Sequence, residues 1–390
     1  MRGISQATLI TPTGVIENGS LVVDDNGRIC KILPTPHPLL PPHTPILNAA
    51  GFTVAPGFID LQLNGGFGHD FTADPGTIWN VAARLPQFGV TTFLPTIITA
   101  PWHTYQQAQD ILANGPPAEF SGALPLGLHF EGPFLNPGKQ GAHDSASLRQ
   151  PDLTAVREWS PENGMRLVTL APELPGAAAV IQALAERGIL VSAGHSLATF
   201  TEARLGFDNG IRYGTHLFNA MSGIHHRQPG LAGALLSDDR VTIGLVPDGI
   251  HVHPALVKMA WQTAAQRLNL VSDAMAALGM PPGTYKLGDK QVNVRAESDA
   301  VCLTARLADG TLAGSVLSLD AAVRNLIQYT GCTLPEAVAT VTHMPADLLN
   351  LETGKIQAGY AADFVLLDHN LDVAKTIVAG KIIYEAEEQS

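Results

Sequence analysis

Four residues of this chain could together hold a divalent cation and move a proton: Glu131, His195, His216 and Asp273. Each stands where a short apolar run gives way to a loop. Leu126-Gly-Leu-His-Phe leads to Glu131, Ile189-Leu-Val-Ser-Ala to His195, Tyr213-Gly-Thr to His216, and Leu268-Asn-Leu-Val-Ser to Asp273. A carboxylate at the end of a buried strand is costly unless a cation or strong donors receive it. Imidazole and carboxylate are the ligands zinc prefers, and a catalytic zinc takes three protein ligands and leaves a place for water. Such a cation brings the pKa of its water to about 7, which supplies hydroxide at neutral pH. A single strand-end His is ordinarily a packed, satisfied side chain. Four such groups at strand ends of one chain point instead to a metal hydrolase. The Gly- and Pro-rich loop after Glu131 adds Lys139 and His143, two polar groups able to reach back over the strand end.

Those runs belong to a longer series. Gly57-Phe-Ile-Asp-Leu-Gln-Leu, Val90-Thr-Thr-Phe-Leu-Pro, Leu167-Val-Thr-Leu-Ala-Pro and Val241-Thr-Ile-Gly-Leu-Val complete a set of eight strand-like stretches. Segments of helical period separate them, including 177–187, 198–209 and 254–267. Eight apolar runs alternating with helices predict an α/β fold, a (β/α)₈ TIM-like barrel over about 54–351. Continuous apolar text suits parallel strands buried on both faces. In this architecture function sits at the carboxyl ends of the strands, where the four residues fall. The stretch of about 281–312 reads differently. Thr284-Tyr-Lys-Leu, Gln291-Val-Asn-Val and Ala300-Val-Cys-Leu, with polar turns between, predict a β-rich insertion after the eighth strand.

Both ends of the chain are strand-like. Ala7-Thr-Leu-Ile, Gly19-Ser-Leu-Val-Val-Asp and Arg28-Ile-Cys-Lys-Ile-Leu alternate with turn signals, and Asp25-Asn-Gly27 marks a hairpin. A Pro-rich connector follows from Pro34. The stretches Gly354 to Asp368 and Thr376 to Tyr384 look like the same kind of text, so 1–53 and 352–390 are expected to pair into one small β-sandwich. With 45% hydrophobic and 15% charged residues among 390, a large core is available and disorder is excluded. A net charge of -12 argues against nucleic acid or an anionic membrane as the main partner. Cys30, Cys302 and Cys332 form no disulfide framework and read as buried thiols of a reducing cytosol. The first residues carry no signal-peptide core, and no apolar run approaches the ~20 residues of a membrane span. The expectation is a soluble cytoplasmic enzyme.

Several motifs now carry a resemblance. Pro56-Gly-Phe-Ile-Asp-Leu, His129-Phe-Glu-Gly-Pro-Phe, Gly194-His195, Thr215-His-Leu-Phe-Asn-Ala-Met, Pro247-Asp-Gly-Ile-His and Val271-Ser-Asp-Ala-Met resemble the amidohydrolase superfamily. Glu-Gly-Pro and His-Leu-Phe-Asn-Ala-Met are similar, more narrowly, to the N-acetylglucosamine-6-phosphate deacetylase group, and the likeness runs through essentially the whole chain. Many amidohydrolases place His-x-His after the first strand to bind a second metal. Here Gln62-Leu-Asn64 stands instead, and amides are poor zinc ligands beside imidazole. The resemblance therefore implies one divalent metal, zinc foremost with iron, cobalt or manganese also accepted, held by Glu131, His195 and His216. It implies that Asp273 takes a proton from the attacking water and returns it to the departing amine; a fourth-ligand or capping role is the alternative for this residue. His143 would polarise the acetyl carbonyl.

The same resemblance implies the substrate contacts. Asn219, Ala220, Arg227 and His251 match positions that hold phosphate and sugar, with Asp248, Gly249 and Ile250 beside His251. Ala142 accompanies His143, and Leu312-Ala313-Gly314 resembles a backbone segment that touches the sugar. Gln62 either hydrogen-bonds a water or only packs. Arg227 in this group reaches a neighbouring subunit's site, which implies a homodimer. His225, His226 and His253 are read as bystanders, and His69 and Asp70 as loop residues. The expected reaction is hydrolysis of the acetamido group of N-acetylglucosamine 6-phosphate. Rivals are a deacetylase of the galactosamine epimer, another amidohydrolase, and a non-catalytic sugar-phosphate-binding scaffold.

Overall fold

The computed structural model describes residues 2–35, 45–296 and 303–387. Its centre is a parallel barrel. The eight strands are Phe58–Leu63, Val90–Ile98, Leu128–Glu131, Met165–Leu170, Leu190–Ala193, Tyr213–Gly214, Thr242–Leu245 and Leu268–Leu270. Each pairs in parallel with the next, so all eight apolar runs form strands in the expected order. Between the eighth and first strands, single contacts replace a ladder. Asp273 N–H donates to the Gln62 carbonyl at 2.9 Å and Asn64 N–H to that of Ala274 at 2.8 Å. The ring closes at the carboxyl ends of those two strands.

Helices Ala177–Glu186, Phe200–Asp208 and Pro254–Ala264 form where the helical period predicts them. The second has a capping box, with Thr199 and Glu202 satisfying each other's backbone N–H groups. Their apolar faces pack on the strands in one continuous core. Leu167, Val180, Ile181, Leu184, Val191 and Ile211 are fully buried in it. Tyr105 and Phe130, with ring centroids 4.5 Å apart, lock helix Trp102–Ala113 onto the third strand directly behind Glu131.

The chain ends meet in a second, eight-stranded mixed sheet with a core of its own around Leu9, Leu21, Val54, Phe364 and Leu366. Thr53–Pro56 joins its two halves, parallel to Arg2–Thr11 and antiparallel to Phe364–Leu367. The stretch from Thr376 to Tyr384, which reads as one run, is a hairpin. Val373–Val378 pairs with Lys381–Glu385 across a turn in which Ala379 and Gly380 both have positive φ. Residues 36–44 of the Pro-rich connector lie outside the described residues, as does Cys302. Cys332 is buried as expected, but Cys30 is exposed. It alternates with the buried Ile29 on strand Ile29–Leu33, so its side chain points outward.

The insertion is a three-stranded antiparallel sheet, Gly283–Leu287, Lys290–Ala296 and Leu303–Arg306. Of the run from Ala300 to Leu303, only Leu303 falls among the described residues. This sheet leans over the mouth of the barrel. Asp70, which reads as a loop residue, is buried and ties it down, its Oδ1 accepting from Ala73 N–H at 2.7 Å and Gly288 N–H at 3.1 Å. Burial pushes the Asp70 carboxyl up to about 6, and those same backbone donors work against the shift.

Candidate metal and acid–base site

Three of the site residues sit at backbone positions that L-residues seldom adopt. His195, His216 and Asp273 have φ values of 48°, 32° and 47°. A left-handed residue two or three positions past the end of a strand turns the chain and brings its side chain over the barrel mouth. The conformation costs about 1 kcal/mol or more per residue, a strain that packing around the site must hold.

The turns bring Glu131, His195 and His216 into one cluster, all three buried. Nε2 of His216 lies 3.0 Å from Oε1 of Glu131 and 3.0 Å from Nε2 of His195, and the remaining side of the triangle is 3.3 Å. Ligand atoms around a tetrahedral zinc with bonds near 2.1 Å stand about 3.4 Å apart. The donor set and its spacing therefore fit a divalent cation. The tautomer of His195 fits as well. Its Nδ1–H donates to the Lys139 carbonyl at 2.8 Å, so the Nε2 lone pair faces the cluster. Burial works against the charged form of Glu131, but the neighbouring imidazoles of His195 and His216 outweigh it and hold the carboxyl well below its usual range. Burial likewise opposes the charged form of His216, and its hydrogen bond to Glu131 overcomes that and raises it. The cluster attracts positive charge.

Asp273 stands beside the cluster. Its Oδ1 accepts from Asn64 Nδ2 at 2.8 Å and from Gln62 Nε2 at 3.2 Å, while Gln62 Nε2 also reaches Glu131 Oε1 at 3.1 Å. The two amides that replace His-x-His thus serve as donors that orient the carboxylates. Burial and the charge of Glu131 push the Asp273 carboxyl up, with the imidazoles of His216 and His251 acting in the other direction. A divalent cation in the cluster would act against this rise.

His143 approaches from the loop after the third strand, its Nε2 3.7 Å from Glu131 Oε2. Burial holds its imidazole well below the usual range, so it is a neutral ring. Lys290 of the insertion donates to the His143 carbonyl at 2.9 Å and secures the loop. These groups open onto a cavity of about 500 Å³ at the carboxyl ends of the strands.

The cavity is lined by thirteen of the residues singled out from sequence: Asn64, Glu131, Lys139, Ala142, His143, His195, His216, Asn219, Ala220, His251, Asp273, Leu312 and Gly314. Gln62 lies beneath it, and Ala313 backs it, donating its N–H to Ala305. Asp248, Gly249 and Ile250 support His251 from behind. Asp248 Oδ2 accepts from His251 Nδ1 at 2.6 Å, and its Oδ1 takes the N–H groups of Ile250 and His251. Burial would lower the His251 imidazole, but the hydrogen bond and charge of Asp248 prevail and raise it. Arg227 is exposed on its loop, away from this cavity. Sequence reasoning missed Arg306, Thr311 and Leu287, which the insertion contributes to the cavity, and Thr99 behind His143. Nothing in their local spacing marks them.

A parallel barrel with a Glu/His/His cluster and an adjacent Asp at the strand ends defines a class of metal-dependent hydrolases. Residues 53–383 match the amidohydrolase family, and the chain belongs to it. Within that family it groups with the amino-sugar-phosphate deacetylases. The N-acetylglucosamine-6-phosphate deacetylase of Rattus norvegicus is 41% identical over 358 residues, 87% of this chain and 86% of that protein. The N-acetylgalactosamine-6-phosphate deacetylase of Escherichia coli O157:H7 is 35% identical over 379 residues, covering 96% and 97%. The crystal structure of N-acetylglucosamine-6-phosphate deacetylase from Pasteurella multocida superposes with a TM-score of 0.90 at 30% identity, covering 99% of this chain and all of that one.

Proposed function

We propose that this chain hydrolyses the acetamido group of N-acetylglucosamine 6-phosphate, releasing acetate and glucosamine 6-phosphate. The observation that carries the reading is one cavity holding both the Glu131/His195/His216 cluster and Asp273, in a chain 41% identical to a deacetylase of that substrate.

Glu131, His195 and His216 would hold one divalent cation, with zinc the first expectation from two imidazoles and a carboxylate. When bound, the cation supplies Lewis acidity, easing deprotonation of a water and polarising a carbonyl. Asp273, with Oδ1 held by Asn64 and Gln62, takes the proton of the attacking water on its other oxygen. It then passes that proton to the amine nitrogen as the C–N bond breaks. His143 donates from Nε2 to the carbonyl oxygen as charge develops there. His251, raised by Asp248, offers positive charge to the phosphate, with Asn219 and Ala220 alongside on the sugar. The exposed Arg227 is assigned to the site of a second copy in a homodimer, where its planar fork suits phosphate. Free thiols at Cys30 and Cys332 suit the reducing cytoplasm as its setting.

The test is acetate release from N-acetylglucosamine 6-phosphate by the purified, zinc-supplied protein, with and without a chelator. Release that the chelator abolishes supports substrate and metal together. No release from folded, metal-loaded protein sinks the substrate assignment. The second reading, the galactosamine epimer, is favoured by the relative that covers 96% of this chain. Comparing kcat/KM for the two epimers decides between them.

A further inference from the structure

The ring of His143 is held from behind by the residue that follows the second barrel strand. Thr99 directs its backbone N–H at His143 Nδ1 across 3.2 Å, and its Oγ1 lies 2.9 Å from the same nitrogen. Both residues are buried. A backbone N–H at the end of a strand cannot turn away, so Nδ1 must accept, and the proton of the neutral ring belongs on Nε2. A proton on Nδ1 would set two N–H groups face to face and leave both unmet, a costly arrangement in a buried site. The Thr99 hydroxyl could serve either tautomer, because it also reaches the Glu131 carbonyl at 3.3 Å. The rigid donor decides. Gly132 leaves the hydroxyl its place, since a Cβ there would fall 2.2 Å from Thr99 Oγ1.

His195 shows the opposite arrangement. Its Nδ1 faces a carbonyl, which can only accept, so its proton sits on Nδ1 and its lone pair on Nε2. Two rings with centroids 4.3 Å apart are thus held in opposite tautomers by opposite backbone groups. One is fitted to ligate and the other to donate. Glu131 Oε2, 3.7 Å from His143 Nε2, lies beyond hydrogen-bond length. That N–H is left for an oxygen entering the cavity.

We infer that Thr99 is a positioning residue: its backbone N–H fixes His143 as the Nε2–H tautomer, and its hydroxyl holds the ring so that this donor meets the acyl oxygen of the substrate. The donor role rests on the amide hydrolysis proposed above; the tautomer does not.

The test begins with imidazole nitrogen–proton correlation spectra of [¹⁵N]histidine-labelled, zinc-loaded protein without substrate, the His143 signals being identified by their loss in His143→Gln. The expected spectrum shows a neutral ring protonated on Nε2 with Nδ1 unprotonated. A proton on Nδ1, or two exchanging tautomers, overturns the inference, and a wrong substrate assignment leaves this reading intact. Thr99→Val is expected to shift or broaden the His143 signals while those of His195 stay. It should also lower kcat about tenfold with little change in KM or bound zinc, with Thr99→Ser restoring most of the loss. An unchanged kcat in Thr99→Val, a loss that Ser does not recover, or a parallel loss of zinc removes the positioning role. Thr99→Ala replaces Val if that variant fails to fold.

Discussion

Asn64 Nδ2 donates to Oδ1 of Asp273 at 2.8 Å, joining the ends of the first and eighth barrel strands across the seam where no ladder runs. The bond, like that from Gln62, falls on one carboxylate oxygen of a residue that lines the cavity. It also favours the ionised form of a group that burial pushes the other way. Asn64→Ala is therefore expected to lower kcat about tenfold, a loss of roughly one charge-assisted hydrogen bond. The acidic limb of the pH–rate profile should move upward, because Asp273 would hold its proton to higher pH. Steady-state kinetics across pH check both. An unshifted limb would show that Asn64 does no more than close the barrel.

Asp273→Asn should reduce acetate release by about 10³-fold, within the usual range for loss of a general acid–base residue. The amide is isosteric and the cluster ligands are untouched, so bound zinc and melting temperature should stay near their original values. Metal analysis alongside the assay separates this from the fourth-ligand alternative, under which zinc would fall with activity.

Glu131→Gln removes the charge toward which both imidazoles converge. Zinc affinity should fall by at least about 100-fold, more than second-sphere substitutions cost. A ligand that binds only the folded state stabilises by about 2.7 kcal/mol at a hundredfold excess over its Kd. The unsubstituted protein should accordingly melt lower after chelation, and Glu131→Gln should show little further change when zinc is withdrawn.

The barrel was legible because eight apolar runs, each buried on both sides, have few other ways to pair. Glu131, His195, His216 and Asp273 were legible because such groups are out of place at the end of apolar text. The contacts that aim them were not. Gln62 and Asn64 read as missing ligands, since their role as donors needs two carboxylates brought from 69 and 209 residues away. Lys290 reaches the His143 carbonyl across 147 residues, and Asp70 meets Gly288 across 218. No local pattern carries such information. Cys30, read as a buried thiol, is exposed because it follows the buried Ile29 on strand Ile29–Leu33 and faces the other side of the sheet.

His251 gives a pH dependence with a definite sign. Its imidazole is buried, which disfavours the charge, yet Asp248 outweighs this and raises it. The cation is present below the raised value and lost as pH climbs through it. The substrate's phosphate gains its second charge near pH 6, so the loss is read above that range, where the phosphate charge no longer changes. KM should rise there with little change in kcat. Asp248→Asn should move the rise to lower pH, and His251→Asn should raise KM about tenfold and flatten it. A profile that Asp248→Asn leaves unchanged would remove His251 from phosphate binding.

Asp60 is buried on the first barrel strand, two residues before Gln62, with Oδ1 accepting from the N–H groups of Gln62 and Ser272 at 3.2 Å each. Burial raises its carboxyl to about 7, more than these donors can offset. In the unfolded chain the same group titrates near 4. Between these values the folded protein holds a proton that the unfolded chain has released. Its contribution to stability is therefore full below pH 4 and lost as pH rises through about 7, by at most about 4 kcal/mol. Asp60→Asn keeps the oxygen that receives both N–H groups and carries no charge to bury. Urea unfolding of the zinc-loaded protein at pH 5 and pH 8 should show a smaller fall in stability for the variant, which should be the more stable of the two at pH 8. Equal slopes would mean that Asp60 is ionised throughout, its charge compensated by the Ser272 side chain together with these two donors.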